Sequence, residues 1–342
     1  MPTSRFALVV ACLLGFLFST IASADDALVE RRAAFDIGSA VIKCTVADVN
    51  IETGELVDIV DEFFRKVDFA EDMARSYDGN FSRDIMDKGM TALEEIKSKA
   101  LGLKATRFAA VGGASFGEAR NGKAYFATIK SELGINAHIL SKQETAVISY
   151  HSARQVRGVP ARNLLVWDIG GASQQMVARN REGKLAFYMD NLASVSFKNV
   201  VLSDIQGKDV NTVSSPNPMT NEQVQQALSY VRSYAKRNIL PTIADRVLHG
   251  ELLIYGIGGV HYYTVPELVG ERSATYTRDD VRGAIARWTG KPDAAFESEY
   301  AATRLTNLIL VLGYMEALDI DTVTPLEVDL TEGLLVIREF WN

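Results

Sequence analysis

Two aspartates open nearly the same short phrase in this chain, Asp36-Ile37-Gly38-Ser39 and Asp168-Ile169-Gly170-Gly171-Ala172-Ser173. Each follows an apolar run and precedes a stretch of alternating residues, the pattern of two antiparallel strands joined by a tight turn. Glycine there lets backbone N–H groups point at a ligand with no side chain in the way. A concave set of such donors is a ready anion site. An aspartate beside bare phosphate is repulsive unless a cation or its water shell lies between them. A third turn, Gly256-Ile257-Gly258-Gly259, follows another apolar run and adds Gly258 and Gly259 to the candidate phosphate binders. Any one of these is also an ordinary hairpin turn. Repetition of the phrase about one domain apart favours two similar lobes, each offering a loop to a shared cleft.

The elements that must position these turns follow from periodicity and caps. Three strands are expected from Ala33 to Phe64, then a polar, irregular segment from Phe69 to Asn80 and a helix starting at Ser82 or Asp84 and running to Ala100. A strand from Arg107 to Val111 leads into the glycine-rich stretch 112–117, followed by a helix from Gly122 to Leu133 with Gly134 as its stop. After a strand from Ala137 to Leu140, Ser141 and Glu144 have capping-box spacing for a helix to Arg154. The second half gives the hairpin at Asp168, a strand from Leu185 to Asp190, and a helix from Ala193 to Ile205. A loop from Gly207 to Pro218 precedes a long helix capped by Thr220, which Pro241 would end or kink. A strand from Glu251 to Tyr255, helices from Thr277 to Trp288 and Tyr300 to Leu318, a strand from Thr322 to Pro325 and a helix from Thr331 to Phe340 complete an α/β chain.

Composition bounds the rest. Arg5, the apolar run from Phe6 to Phe18 and Ala22-Ser23-Ala24 read as a signal peptide over residues 1–24, cleaved after Ala24; an uncleaved anchor is the alternative. An exported protein, periplasmic or secreted, is the expectation, with no transmembrane span in the mature chain. A formal net charge of −7 argues against binding a nucleic-acid duplex. Cys44 would be the lone cysteine after cleavage, in an alternating strand where a buried hydrophobe is expected. His138, His151, His249 and His261 are too scattered for a zinc site.

Taken together, these motifs resemble the exopolyphosphatase and guanosine pentaphosphate phosphohydrolase (Ppx/GppA) family, of the actin, sugar-kinase and heat-shock-ATPase superfamily. The resemblance rests on the two Asp-Ile-Gly phrases, Ile139-Leu140-Ser141-Lys142-Gln143-Glu144-Thr145-Ala146, the glycine turn at 256–259, Leu308 to Glu316 and Glu332-Gly333-Leu334-Leu335. It implies two ribonuclease-H-like lobes with a ligand cleft between them, residues 25–155 and 156–342, the terminal helix 331–340 packing back on the first. It also implies hydrolysis of a terminal phosphoanhydride by water, with polyphosphate or a nucleoside polyphosphate as substrate and Mg²⁺ or another divalent cation as cofactor. The turn Gly170-Gly171-Ala172-Ser173-Gln174 also looks like the related apyrase motif. Carried over, the resemblance implies that Gly38, Ser39, Gly170, Gly171, Ala172 and Ser173 hold phosphate through backbone N–H groups, with Asp36 and Asp168 behind them, bound to the metal directly or through water. Lys43 falls where the family often has arginine, and a homodimer is an open expectation.

The departures fall on groups that react. Thr145 stands at the family's base position and is no base at neutral pH. Glu144, beside it, points about 100° away on a helix. Gly117 replaces an arginine, Gln175 replaces a glutamate near the metal, and Ala40-Val41 replaces Asn-Ser. Two readings follow: a hydrolase that recruits Glu144, Glu118 or another acid as base, or a binding or sensing protein that kept the cleft and lost catalysis. An assembly scaffold using the same fold is a third.

Overall fold

The computed structural model describes residues 28–157, 159–270 and 275–341, so the segment read as a signal peptide lies outside the described residues. The first sheet is built from β1 (Val29–Ile37), β2 (Val41–Asn50) and β3 (Leu56–Lys66), followed by α1 (Phe69–Ala74) and α2 (Arg83–Gly102). β4 (Arg107–Gly112), α3 (Ala114–Glu118), α4 (Gly122–Leu133) and β5 (Asn136–Ile139) come next, and then α5 (Lys142–Arg157). The strand order is β3-β2-β1-β4-β5, with β1, β4 and β5 parallel.

The second half repeats this plan. β6 (Leu164–Ile169), β7 (Gln174–Arg179) and β8 (Leu185–Asp190) form a meander, followed by α6 (Ser194–Val200), which continues as a wider π turn to Ile205. α7 (Asn221–Asn238) and α8 (Pro241–Leu248) lead to β9 (Leu253–Ile257); a π turn over Val260–Thr264 runs into α9 (Val265–Val269). β10 (Tyr276–Thr277), α10 (Arg278–Trp288), α11 (Ala301–Leu318), β11 (Thr322–Pro325) and α12 (Leu330–Val336) complete it. The order is β10-β11-β9-β6-β7-β8, with β6, β9 and β11 parallel. Both expected hairpins therefore form, and the fold is α/β with a matching arrangement in each half.

Several boundaries differ from the sequence reading for identifiable reasons. The segment expected to be irregular after Phe69 contains α1, because Phe69 is buried against Phe81, Phe116 and Tyr125 and pins a short turn that its polar neighbours do not announce. Pro241 neither kinks nor merely ends α7; it occupies the first turn of a new helix, where its missing N–H costs nothing. The terminal helix stops at Val336, with Arg338–Phe340 a separate 3₁₀ turn.

Where the two halves touch, helices α5 and α12 lie between the sheets. Ile148 of α5 packs with Leu334 and Leu335 of α12 under Ala34 and Ala47 of the first sheet. Ala146, Tyr150 and Ala153 pack on Val166, Val177 and Ile257 of the second. The helices cross so closely that a Cβ on Gly333 would lie 2.1 Å from the Ile148 carbonyl oxygen. At that crossing Ser152 Oγ donates to the Asp329 carbonyl at 2.6 Å and accepts from the Gly333 N–H at 2.9 Å.

Candidate functional site

Ligands of parallel α/β sheets collect outside the carboxyl ends of the strands. In the first sheet this edge carries the turn 38–40, the start of α3 and the start of α5; in the second, the turn 170–173, residues 258–259 and the start of α12. Two contacts join the edges. Lys43 Nζ lies 3.5 Å from Asp329 Oδ2, and Lys142 shares a small polar pocket with Ser173 and Gln175.

Gly38 closes the first turn through its N–H to the Val41 carbonyl at 3.0 Å, and a Cβ there would lie 2.6 Å from that oxygen. Gly170 donates likewise to the Ser173 carbonyl at 2.9 Å. These two amides are thus spent within the turns. Asp36 sits opposite Lys43 across the β1–β2 pair. Burial, and then the nearby Asp329 charge, push the Asp36 carboxyl up to about 7, against a smaller opposing pull from Lys43.

Asp329 and Glu332, absent from the sequence reading as site residues, complete this corner. Asp329 caps α12, its Oδ1 accepting from the Thr331 N–H at 2.9 Å, while Thr331 Oγ1 meets Thr45 Oγ1 at 2.6 Å. Burial and the Asp329 charge push Glu332 up to about 8, so it carries a proton that it can donate to Asp329. Burial alone would raise Asp329 too, but hydrogen bonds from Glu332 and Thr331, with the Lys43 charge, hold it low. The signal for both was available: Asp329 and Glu332 have the spacing of an N-cap and its third helical residue, as do Ser141 and Glu144.

On the other edge Asp168 is half-buried at the end of β6 and its carboxyl is raised by burial, with Gln175 Nε2 donating to its Oδ2 at 3.0 Å. Gly258 has φ of +80°, and a Cβ there would lie 2.4 Å from Asp168 Oδ1, so glycine lets the end of β9 come up against this carboxylate. Glu144 is occupied at the helix start, where Oε2 accepts from the Ser141 N–H and Oγ, both at 2.7 Å. Thr145 Oγ1 donates to the Ser141 carbonyl at 3.1 Å, and Glu118 is exposed at the end of α3. Among the described residues no group of three or more His, Cys, Asp or Glu could cage a metal ion. The donors do fit a Mg²⁺ ion held by one carboxylate, Asp168, and otherwise by ligand phosphates and water, which is how Mg²⁺ is often bound.

Beside the second turn opens a cavity of about 490 Å³ lined by Gly170, Gly171, Gly259, Tyr263, Arg304 and Asn307, among others. Ser39 and Gly38 do not line it. Arg304 is 6% exposed; its Nη2 lies 2.9 Å from Glu267 Oε2, and its Nε has no hydrogen-bond partner. The Asn307 Oδ1 atom is likewise buried without a partner. Neither residue was singled out from sequence, because on a helix as apolar as α11 isolated polar positions carry no spacing signal.

Comparison with known proteins agrees with this architecture. Comparison with curated proteins gives no match. Crystal structures of the Aquifex aeolicus Ppx/GppA enzyme superpose with TM-scores of 0.71 and 0.68 at 18% and 19% identity, covering 90% of this chain and 99% and 98% of theirs. An exopolyphosphatase from Cytophaga hutchinsonii gives 0.58 at 13% identity, covering 90% of this chain and 96% of that one. At such identities these likenesses establish the fold. The model of the Ppx/GppA phosphatase family matches residues 47–238, more than half of the sequence, and the chain belongs to that family.

Proposed function

We propose that this protein binds a nucleoside polyphosphate across the two strand edges and hydrolyses its terminal phosphoanhydride bond. Family membership supports a phosphohydrolase-like function. The observation that carries the finer reading is the cavity beside Gly170 and Gly171, whose buried Arg304 and Asn307 keep unpaired polar atoms. A bare polyphosphate has nothing to place among the apolar walls of such a cavity, whereas a nucleoside brings both ring surface and matching donors and acceptors. In this reading Ser39, Gly171, Ala172 and Ser173 hold phosphate oxygens through backbone N–H groups, and Lys43 adds a positive charge that Asp329 orients. A divalent ion, when bound at Asp168, would neutralise charge on the phosphates. Asp36, with a carboxyl near its midpoint at neutral pH, is the acid best placed in energy to take the water's proton, since Glu144 is committed to its helix.

A second reading has specific support: Thr145 at the family's base position and the Gln175 amide on Asp168 fit a binding protein that no longer turns over. Phosphate release from ATP, pppGpp and polyphosphate with Mg²⁺ separates the two, with calorimetry alongside. Release from a nucleotide but not from polyphosphate is the expected outcome. Tight nucleotide binding without release would favour the second reading, and no binding of any phosphorylated ligand would remove both. Arg304→Met should weaken nucleotide binding at least tenfold, the scale of leaving a buried polar partner unpaired.

A further inference from the structure

The first sheet ends in an open edge. Among the described residues β3 is the outermost strand and pairs with β2 alone. The Gly38 N–H bonds to Val41, so Ile42, Cys44 and Val46 face β3 and meet Arg65, Phe63 and Asp61, in step with the Val67 N–H bond to Ala40. The Glu62 N–H is taken by the Asp61 carboxylate and the Phe64 carbonyl by Arg65. Odd-numbered residues of this stretch therefore direct their backbone groups inward, and Glu62, Phe64 and Lys66 direct theirs outward. Phe64 is 72% exposed, and the Lys66 side chain 77%. Irregularities where β3 passes Val46–Ala47 and Asp48–Val49 leave the stretch from Asp61 to Lys66 as its regular part. Edges of this kind are commonly protected by charge. Here, however, the charges are ordered, acidic at Glu62 and basic at Lys66, with an exposed aromatic ring midway.

We propose that β3 pairs antiparallel with β3 of a second copy of this chain about a two-fold axis at Phe64. Only this self-pairing sets Phe64 opposite Phe64 and Glu62 opposite Lys66 twice, on one face, with all three outward residues making ladder bonds. The two sheets then run on as one of ten strands. Lys43 is the neighbour of Phe64 across β2. The two lysines would thus stand on the same face, about 14 Å apart, three strand spacings of roughly 4.8 Å. The strand ends that carry the two candidate sites then point in opposite directions along the joined sheet, because antiparallel pairing reverses the strands of the second copy.

Sedimentation of the purified protein from micromolar to sub-millimolar concentration tests the proposal. The wild type is expected to dimerise in that range, Glu62→Lys and Lys66→Glu to be monomeric, and the combined Glu62→Lys, Lys66→Glu protein to dimerise again. Phe64→Cys should form a disulfide-linked dimer under mild oxidation, because residues facing across a hydrogen-bonded pair have Cα atoms about 5.5 Å apart, within disulfide reach. Val57→Cys, on the irregular part, should not. A wild type monomeric throughout, or a dimer that both single charge changes leave intact, would overturn the proposal. Circular dichroism separates loss of pairing from loss of folding, and nucleotide binding by the monomeric variants keeps the result independent of the site's function.

Discussion

Glu332 holds its proton only while the chain is folded, and that has a measurable sign. Its folded value, about 8, lies above its ordinary 4.5, so the unfolded chain releases the proton first and stability falls as pH rises through that window. Asp36, raised from 3.8 to about 7, acts in the same direction. Glu332→Gln keeps a neutral donor near Asp329, so urea unfolding should show the variant gaining on the wild type between about pH 5 and pH 8; a constant gap would mean that Glu332 is ionised in the fold. Thr145→Glu asks a different question of a single position. Given the family's arrangement, it should raise phosphate release by about a hundredfold, the usual worth of a positioned general base. At this scale the sequence was readable where the backbone does the work, since Gly38 and Gly258 make close approaches that glycine alone permits. For Asp329 it offered a cap's spacing and no more, because the rest of its meaning depends on Lys43, distant in the chain and brought near by the fold.

Helix starts and crossings carry the next level of argument. Ser141 caps α5 and is held reciprocally by Glu144, so Ser141→Ala should cost about 1 kcal/mol in denaturant unfolding. Gly333→Ala should cost more, about 1–3 kcal/mol, because its methyl would meet backbone at 2.1 Å and neither helix can retreat without unpacking from a sheet. A variant as stable as the wild type would show that the crossing has room. Strands and long amphipathic helices announce themselves through local period, and the hairpins at Asp36 and Asp168 were plain on that ground. What escaped was set by distant partners: α1 forms because Phe69 is sequestered among rings from three other segments. The end of α7 before Pro241 was read, but not the helix α8 that Pro241 begins.

The molecule as a whole is two sheets whose active edges meet at few points. A ligand reaching both edges should stabilise the fold by mass action, about 2.7 kcal/mol at a hundred times its dissociation constant. A slowly hydrolysed nucleotide should therefore raise the unfolding temperature in calorimetry, and Arg304→Met, with affinity reduced about tenfold, should cut the rise to about half or less at the same nucleotide concentration. Ser152 grips the two ends of one short backbone stretch, the Asp329 carbonyl and the Gly333 amide, deep between the layers. That grip works like a rivet between α5 and α12: neither helix can slide past the other without breaking both bonds. The same stretch begins at the cap that faces Lys43, so a crossing riveted deep between the layers also fixes where the partner of that lysine stands at the surface.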